Sequence, residues 1–191
     1  MPKLGMEPIR REALVRATIA ELGAAGTLDV TVSQIARRAG VSSALAHHYF
    51  GGKDQIFLAA MRRVLSDFGD DARRELKAAR TEERAAAIVR ACFAGGSFTP
   101  EAVGAWMCFY VLAQSNAHAL KLWKIYHLRL RSNLIHALRP ICPRPEAAAD
   151  TLGALIDGLY IRAALDPDLS PAEAQGQALS ILTNLCKGPH A

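Results

Sequence analysis

Apolar residues recur at helical spacing along almost the whole chain. In the first predicted helix, Glu7 to Ala25, the core positions are Leu14, Ala17, Thr18 and Leu22. The same spacing predicts eight more helices, over residues 32–39, 42–48, 53–79, 81–95, 99–116, 117–139, 145–165 and 170–187. The 35 alanines and 23 leucines outnumber the 19 valines and isoleucines, which favours helices over strands. The sequence therefore predicts an all-α protein of about nine helices.

The stretch from Thr31 to Tyr49 is typical of a helix-turn-helix. Thr31-Val32-Ser33-Gln34 forms a capping box that opens a short helix, and Gly40 ends that helix. Ser42 is placed to cap the next helix, which reaches about His48. This second helix would span ~10 Å and fit the DNA major groove, which is ~12 Å wide. Because such a helix contacts only a few base pairs, we expect a homodimer on a palindromic operator.

Candidate DNA contacts follow from the chemistry of these residues. Residues 1–80 hold 13 Lys and Arg against 9 Asp and Glu, which favours a polyanionic partner. Hydroxyls and helix N-terminal amides bond phosphates or base edges, and a small alanine permits close approach to a thymine methyl. The predicted DNA-binding residues are Thr31, Arg37, Ser42, Ser43, Ala44, His47, His48, Tyr49 and Lys53.

The sequence lacks the patterns of a membrane protein, a metalloprotein or an enzyme. No apolar run approaches the ~20 residues that cross a bilayer, so we expect a cytoplasmic protein. The four cysteines lack zinc spacing, and we expect neither a metal nor a cofactor. His118, His127 and His136 alternate between opposite helix faces, and no nucleophile or phosphate loop accompanies them. We therefore predict no enzymatic activity.

Two blocks of the sequence carry a family resemblance. The run from Thr31 to Ser42, followed by His48-Tyr49-Phe50 and Lys53, resembles the DNA-binding domain of the TetR family of transcriptional regulators. The block from Ala154 to Leu165 resembles the choline-responsive members of that family. Residues 43–47 and 51–52 depart from the family pattern, which leaves the operator sequence open.

The resemblance implies two domains with different functions. Residues 1–52 would form the helix-turn-helix DNA-binding domain, and residues 53–191 the ligand-binding and dimerisation domain. By the same resemblance, the protein would be a repressor of the genes that convert choline to the osmoprotectant glycine betaine. Choline would be the small-molecule inducer that relieves this repression.

Aromatic residues at helical spacing indicate a ligand site in the second domain. A quaternary ammonium group is held by the faces of aromatic rings and by a nearby carboxylate. The predicted site consists of Trp106, Tyr110, Trp123, Tyr126, Asp157 and Tyr160. Two observations leave alternatives open: such aromatic residues also serve as core, and no acidic residue lies between Glu101 and Glu146 to balance the six bases there. The second hypothesis is therefore a TetR-type repressor induced by a lipophilic drug or another metabolite.

The last two predicted helices carry apolar stripes that favour a dimer interface. Two helices from each subunit would form a four-helix bundle across a two-fold axis. The predicted interface residues are Leu152, Leu155, Ile156, Leu159, Leu179 and Leu182. The alternative is that these stripes face the core of their own chain.

Overall fold

The computed structural model describes residues 5–166 and 168–187. The described residues form nine α-helices and no strand, which confirms the all-α prediction. The helices are α1 (Met6–Ala25), α2 (Val32–Arg38), α3 (Ser43–Phe50), α4 (Lys53–Ala78), α5 (Arg84–Cys92), α6 (Pro100–Ser115), α7 (Ala117–Leu138), α8 (Pro145–Leu165) and α9 (Pro171–Cys186). The predicted helix over 81–95 is shorter than expected, because Thr81–Glu83 forms a separate 3-10 turn and α5 ends at Cys92.

The chain divides into two compact units. The first contains α1, α2 and α3, the part of α4 up to residue 64, and residues 100–122, which include α6. The second contains residues 65–99 and the described residues from 123 onward. The functional boundary at residue 52 stays a prediction, and the compact unit that contains the helix-turn-helix extends beyond it.

In the first unit, α1 and α6 cross with their backbones in contact. A Cβ added at Gly23 would lie 2.4 Å from the carbonyl oxygen of Glu101, and one added at Gly104 would lie 2.7 Å from the carbonyl oxygen of Gly23. Only glycine permits this approach at either position. Because α1 also contacts α2 and α3, the crossing links the helix-turn-helix to α6.

In the second unit, a buried hydrogen-bond network joins α4, α8 and the segment after α5. The Tyr160 hydroxyl lies 2.5 Å from the carbonyl oxygen of Cys92 and 3.2 Å from that of Ser97. The Ser97 hydroxyl in turn donates to the buried Asp71 carboxylate at 2.9 Å. Helix α9 packs against both α8 and α5. Among the described helices, none is long and apolar enough to cross a membrane.

Candidate DNA interface and ligand site

The start of α2 is fixed by the predicted capping box. The Thr31 hydroxyl accepts a hydrogen bond from the Gln34 backbone N–H at 3.2 Å, and the Gln34 side-chain oxygen accepts from the Thr31 backbone N–H at 2.7 Å. Behind this cap, Ile35 and Ala36 are buried. The two reciprocal bonds satisfy backbone donors that a bare helix N-terminus would leave unpaired.

The turn after α2 is closed by a Schellman-type hydrogen bond. The Val41 backbone N–H donates to the Ala36 carbonyl at 3.0 Å. Gly40 has a φ of +66°, the left-handed conformation that this turn requires and that residues with a side chain adopt at a cost. Local hydrogen bonding therefore sets where α2 ends and in which direction α3 begins.

Helix α3 is held at its start by serine hydroxyls. Ser42 caps the helix by accepting from the Leu45 backbone N–H at 3.2 Å. The Ser43 and Ser33 hydroxyls lie 3.2 Å apart and join α3 to α2. Since Ala46 is buried, α3 packs with one face and exposes the other.

The predicted DNA contacts lie on the exposed side of the helix-turn-helix. The exposed members are Thr31, Arg37, Ser42, Ala44, His47 and His48, and the half-buried members are Ser43, Tyr49 and Lys53. The structure thus leaves several hydroxyls, a small alanine and two imidazoles of the helix-turn-helix accessible. Such groups bond phosphates and base edges. Their role in DNA binding remains a prediction.

The two neighbouring arginines of α2 have different environments. Arg38 Nε lies 2.5 Å from the Glu21 carboxylate on α1, so Arg38 ties α2 to α1. Arg37 is exposed. This arrangement supports Arg37 rather than Arg38 as a phosphate contact.

One contact near the end of α3 has no sequence signal. The Arg11 guanidinium on α1 lies 5.2 Å from the ring centres of both Tyr49 and Phe50. These cation–π contacts join α1 to the C-terminal end of α3. Arg11 is distant in sequence and belongs to no motif, so the sequence analysis did not select it.

The six predicted ligand residues are shared between the two units. Trp106 and Tyr110 belong to the first unit, where their ring centres lie 6.0 Å apart. Trp123, Tyr126, Asp157 and Tyr160 belong to the second. Tyr160 differs from the expectation of an open cage residue, because it is buried against Phe98 and its hydroxyl lies within hydrogen-bond distance of two backbone carbonyls. Its polar group therefore serves the fold.

Within the second unit, a groove of about 490 Å³ runs between α7 and α8. Two of the predicted ligand residues, Trp123 and Asp157, line it. The other lining residues are Lys124, His127, Leu128, Leu130, Arg131, Leu134, Ala149, Asp150, Gly153 and Ala154. The groove combines apolar walls with a few charged groups, as small-molecule sites do.

His127 is central to this groove and was not among the predicted site residues. Its ring centre lies 4.1 Å from that of Trp123 and 5.1 Å from that of Tyr126, and its Nδ1 lies 3.9 Å from Asp157 Oδ2. Burial lowers the pKa of His127 below its usual value, while the Asp157 charge acts in the opposite direction. Burial therefore favours the neutral imidazole. The available sequence signal was its position four residues after Trp123, on the same helix face.

One of the six bases that argued against a cationic ligand, Arg131, is paired with a carboxylate. Arg131 forms a bidentate ion pair with Asp150 on α8, with distances of 2.6 and 3.2 Å. Hydrogen bonding to Arg131 lowers the pKa of Asp150, so this carboxylate stays charged. The lining of the groove thus includes the Asp157 carboxylate and an arginine that is already paired with Asp150.

Helix α4 contacts this site through one aromatic side chain. Phe68 on α4 lies edge-on to Tyr126 on α7, with ring centres 5.4 Å apart. Tyr126 is in turn edge-on to His127. A chain of aromatic contacts therefore leads from the groove to α4.

Most of the predicted dimer residues lie inside the subunit. Four of the six, Leu152, Ile156, Leu159 and Leu182, are buried among the described residues of their own chain. They are therefore unavailable to a partner, as the alternative interpretation of the stripes expected. Leu155 and Leu179 are half-buried. The large apolar side chains that α8 and α9 expose are Ile161, Leu165 and Ile181.

Comparison with protein families decides the identity of the chain. Residues 14–60 match the tetR family of bacterial regulatory proteins, and residues 81–187 match the C-terminal domain of BetI-type transcriptional repressors. The chain belongs to the TetR family. As a TetR-family member with a BetI-type C-terminal domain, it is a DNA-binding transcriptional repressor rather than an enzyme.

Similar proteins support this TetR-family assignment along nearly the full length. The chain is 50% identical over 175 residues to the HTH-type transcriptional regulator BetI of Brucella suis, covering 90% of this chain and 88% of the relative. It is 51% identical to the regulator of the same name from Rhizobium meliloti, covering 86% and 83%. A transcriptional regulator from Pseudomonas aeruginosa PAO1 has the same fold, with a TM-score of 0.81, 26% identity and coverage of 97% and 94%.

One further structure with the same fold contains a ligand. A transcriptional regulator from Saccharomonospora viridis was solved in complex with choline. It aligns with a TM-score of 0.78 at 19% identity, covering 93% of this chain and 97% of that protein. At this identity the likeness establishes the shared fold.

Proposed function

We propose that this repressor acts as a homodimer on a palindromic operator, with α3 of each subunit in the major groove. The observation that supports this most strongly is the hydrogen-bonded helix-turn-helix, whose exposed side carries Arg37, Ser42, Ala44, His47 and His48. A helix of this size contacts few base pairs, so specificity requires two copies spaced about one helical turn apart, or a multiple of it. The proposed site of action is the cytoplasm, where a bacterial operator lies.

The proposed inducer is choline, and the proposed target genes convert choline to glycine betaine. Three observations support this ligand: the 50% identity to BetI regulators, the choline complex of a structurally similar protein, and a groove that offers aromatic rings beside the Asp157 carboxylate. Ring faces and a carboxylate attract a cation that cannot donate a hydrogen bond. In this proposal Trp123 and Asp157 contact the ligand, and Tyr126 is a further candidate in the same unit. The ligand roles of Trp106 and Tyr110 in the first unit, and of the buried Tyr160, stay predictions from the sequence.

The proposed switch uses α4. A ligand held against Tyr126 and His127 shifts the edge contact with Phe68 on α4. Because α4 is one continuous helix from Lys53 to Ala78, a displacement at Phe68 is carried along it toward the helix-turn-helix. Differential affinity of only ~1–3 kcal/mol between the two states is enough for such a switch.

The proposed dimer contact is the exposed side of α8 and α9. Ile161 and Leu165 are 47% and 80% exposed, and Ile181 adds a third apolar side chain on α9. The half-buried Leu155 and Leu179 are further candidates for this dimer contact. Size-exclusion chromatography with light scattering tests it: we expect twice the 20.6 kDa subunit mass at micromolar concentration, and a single 20.6 kDa species would refute the dimer.

A mobility-shift assay on the DNA upstream of the protein's own gene tests the proposed function. We expect specific binding that weakens as salt rises, because lysines and arginines release counterions from phosphates. We also expect millimolar choline to release the DNA. Operator affinity that is unchanged by choline would overturn the proposed inducer and leave the repressor assignment standing.

A different inducer is the second candidate function, favoured by the apolar walls of the groove. Leu128, Leu130 and Leu134 all line it, and such walls also accommodate a lipophilic drug or another metabolite. Titration of choline followed by Trp106 and Trp123 fluorescence separates the two candidates. A saturable change supports choline, whereas no change up to millimolar concentration favours the other inducer.

A further inference from the structure

Two nitrogen atoms in the α7–α8 groove region are buried without a hydrogen-bond partner. They are Trp123 Nε1 and His127 Nε2, and neither has a partner among the described residues. A buried polar group left unpaired costs about 1–3 kcal/mol. Native proteins keep few such groups, and each one calls for an explanation. Both side chains line the groove, and their ring centres are only 4.1 Å apart.

The chemistry of the two nitrogens is complementary. An indole Nε1–H can only donate a hydrogen bond. The neutral imidazole has one donor and one acceptor, and which nitrogen carries the proton depends on its surroundings. The Asp157 carboxylate lies 3.9 Å from His127 Nδ1 and favours the proton there. His127 Nε2 then has a free lone pair, so two adjacent rings at the groove carry one buried unpaired donor and one buried unpaired acceptor.

A hydroxyl group satisfies this pair, since its oxygen accepts one hydrogen bond while its proton donates another. We propose that Trp123 and His127 together recognise the hydroxyl of a quaternary ammonium alcohol, with Trp123 Nε1–H donating to the hydroxyl oxygen and the hydroxyl donating to His127 Nε2. This inference rests on the proposed function, and it assigns the recognition of the ligand's alcohol end to two named side chains. His127 is thereby a specificity-determining residue.

The same geometry excludes the carboxylate analogue. A carboxylate has no proton to donate, so it leaves the His127 lone pair unpaired. It also brings a negative charge close to Asp157. A site built to hydrogen-bond a hydroxyl likewise rejects an analogue that lacks it, because the site's polar groups are then left without partners. The groove therefore selects the alcohol over both its deoxy analogue and its oxidised product.

Isothermal titration calorimetry on the full-length protein tests the inference with three ligands of similar size. They are choline, ethyltrimethylammonium, which lacks the hydroxyl, and glycine betaine, which carries a carboxylate instead. We expect choline to bind at least about tenfold more tightly than either of the others. Equal affinity for choline and ethyltrimethylammonium would overturn the inference that the hydroxyl is recognised. The proposal that the protein senses a quaternary ammonium ligand would still stand. Binding of none of the three would overturn the proposed inducer together with the inference.

Two variants assign the selectivity to its residues. Trp123→Phe and His127→Phe keep an aromatic ring but remove the nitrogen, and we expect each to reduce the preference for choline over ethyltrimethylammonium to about twofold or less. The matched control is His136→Phe, an exposed histidine on the same helix, which should keep the wild-type preference.

Thermal unfolding without ligand distinguishes a role of Trp123 and His127 in ligand recognition from a role in stabilising the fold. We expect Trp123→Phe and His127→Phe to unfold at the wild-type temperature or above, because each replaces an unpaired buried polar atom with an apolar one. Variants that keep the full wild-type preference for choline would overturn the inference. It would also be overturned if both variants were less stable than the wild type and their ligand preference were unchanged.

Discussion

Residues 31–53 and the α7–α8 groove acquire their geometry in different ways. In the helix-turn-helix, the helix ends are set by hydrogen bonds between residues no more than five positions apart, such as Thr31 with Gln34 and Ala36 with Val41. In the groove, the meeting of His127 with Asp157 depends on how two long helices pack. The surface proposed to contact DNA is thus specified locally, whereas the proposed ligand site is specified by tertiary packing. Changes to the helix caps and changes to the packing of helices should therefore differ in their effects on stability and on operator binding.

We expect the largest loss of stability from disrupting the crossing of α1 and α6 in the first unit, which contains the helix-turn-helix. In Gly23→Ala the new Cβ would lie 2.4 Å from the backbone oxygen of Glu101, so α1 and α6 must move apart. We expect a loss of about 3 kcal/mol in the free energy of unfolding, together with weaker operator binding. Urea denaturation and fluorescence anisotropy with labelled operator DNA measure the two quantities.

The matched control for this variant is Gly69→Ala on α4. A Cβ there would approach only the end of the flexible Arg73 side chain, at 3.5 Å. We expect a gain of about 0.5–1 kcal/mol, because alanine favours the helix. Equal stability of Gly23→Ala and wild type would mean that the helix-turn-helix does not depend on the α1–α6 crossing.

A smaller effect is expected at the turn between α2 and α3. Gly40→Ala forces a side chain into a φ of +66°, where no neighbour obstructs the added Cβ, so the cost is conformational. We expect a loss of about 1–2 kcal/mol in unfolding free energy. Gly40→Asn should lose less, since asparagine tolerates this conformation. Equal denaturation midpoints for the two variants would contradict the proposed role of the turn.

The caps of α2 and α9 permit a direct comparison of the helix-turn-helix with a helix of the second unit. Thr31 with Gln34 and Ser170 with Glu173 form equivalent capping boxes. We expect Thr31→Ala and Ser170→Ala each to lose about 1 kcal/mol of stability. Only Thr31→Ala should also weaken operator binding in the anisotropy assay. Equal weakening by both would mean that the caps affect DNA binding through overall stability alone.

The smallest expected effect concerns one phosphate contact. Arg37→Gln should weaken binding to all DNA sequences by a few fold and reduce the slope of log affinity against log salt by about one. The control is Arg129→Gln, an exposed arginine on α7, which should leave the slope unchanged. Identical slopes for Arg37→Gln and wild type would remove Arg37 from the interface.

The same contrast explains what the sequence could predict. Helix order, the Thr31 capping box and the exposed side of α3 all follow from short-range patterns, and the structure has them where the patterns predicted. The apolar stripe of α8 was ambiguous, because a buried face and an interface face have the same period. Leu152, Ile156 and Leu159 turned out to be buried in their own subunit.

The proposed ligand site depends on tertiary packing, which no local sequence pattern contains. Two residues predicted from the sequence, Trp123 and Asp157, do line the groove. His127 was not predicted, because its proposed role depends on a half-buried position beside Asp157 on another helix. The position of the Tyr160 hydroxyl against two backbone carbonyls was also not predicted. Side chains that come together only through tertiary packing have no characteristic spacing along the sequence.

Methylation protection of guanine N7 on the DNA upstream of the protein's own gene tests the central claim most directly, because N7 lies in the major groove. If α3 of each subunit occupies that groove, wild-type protein should protect guanines in two clusters about 10 base pairs apart, or a multiple of that distance. Specific binding that leaves every guanine N7 open to methylation would contradict the account.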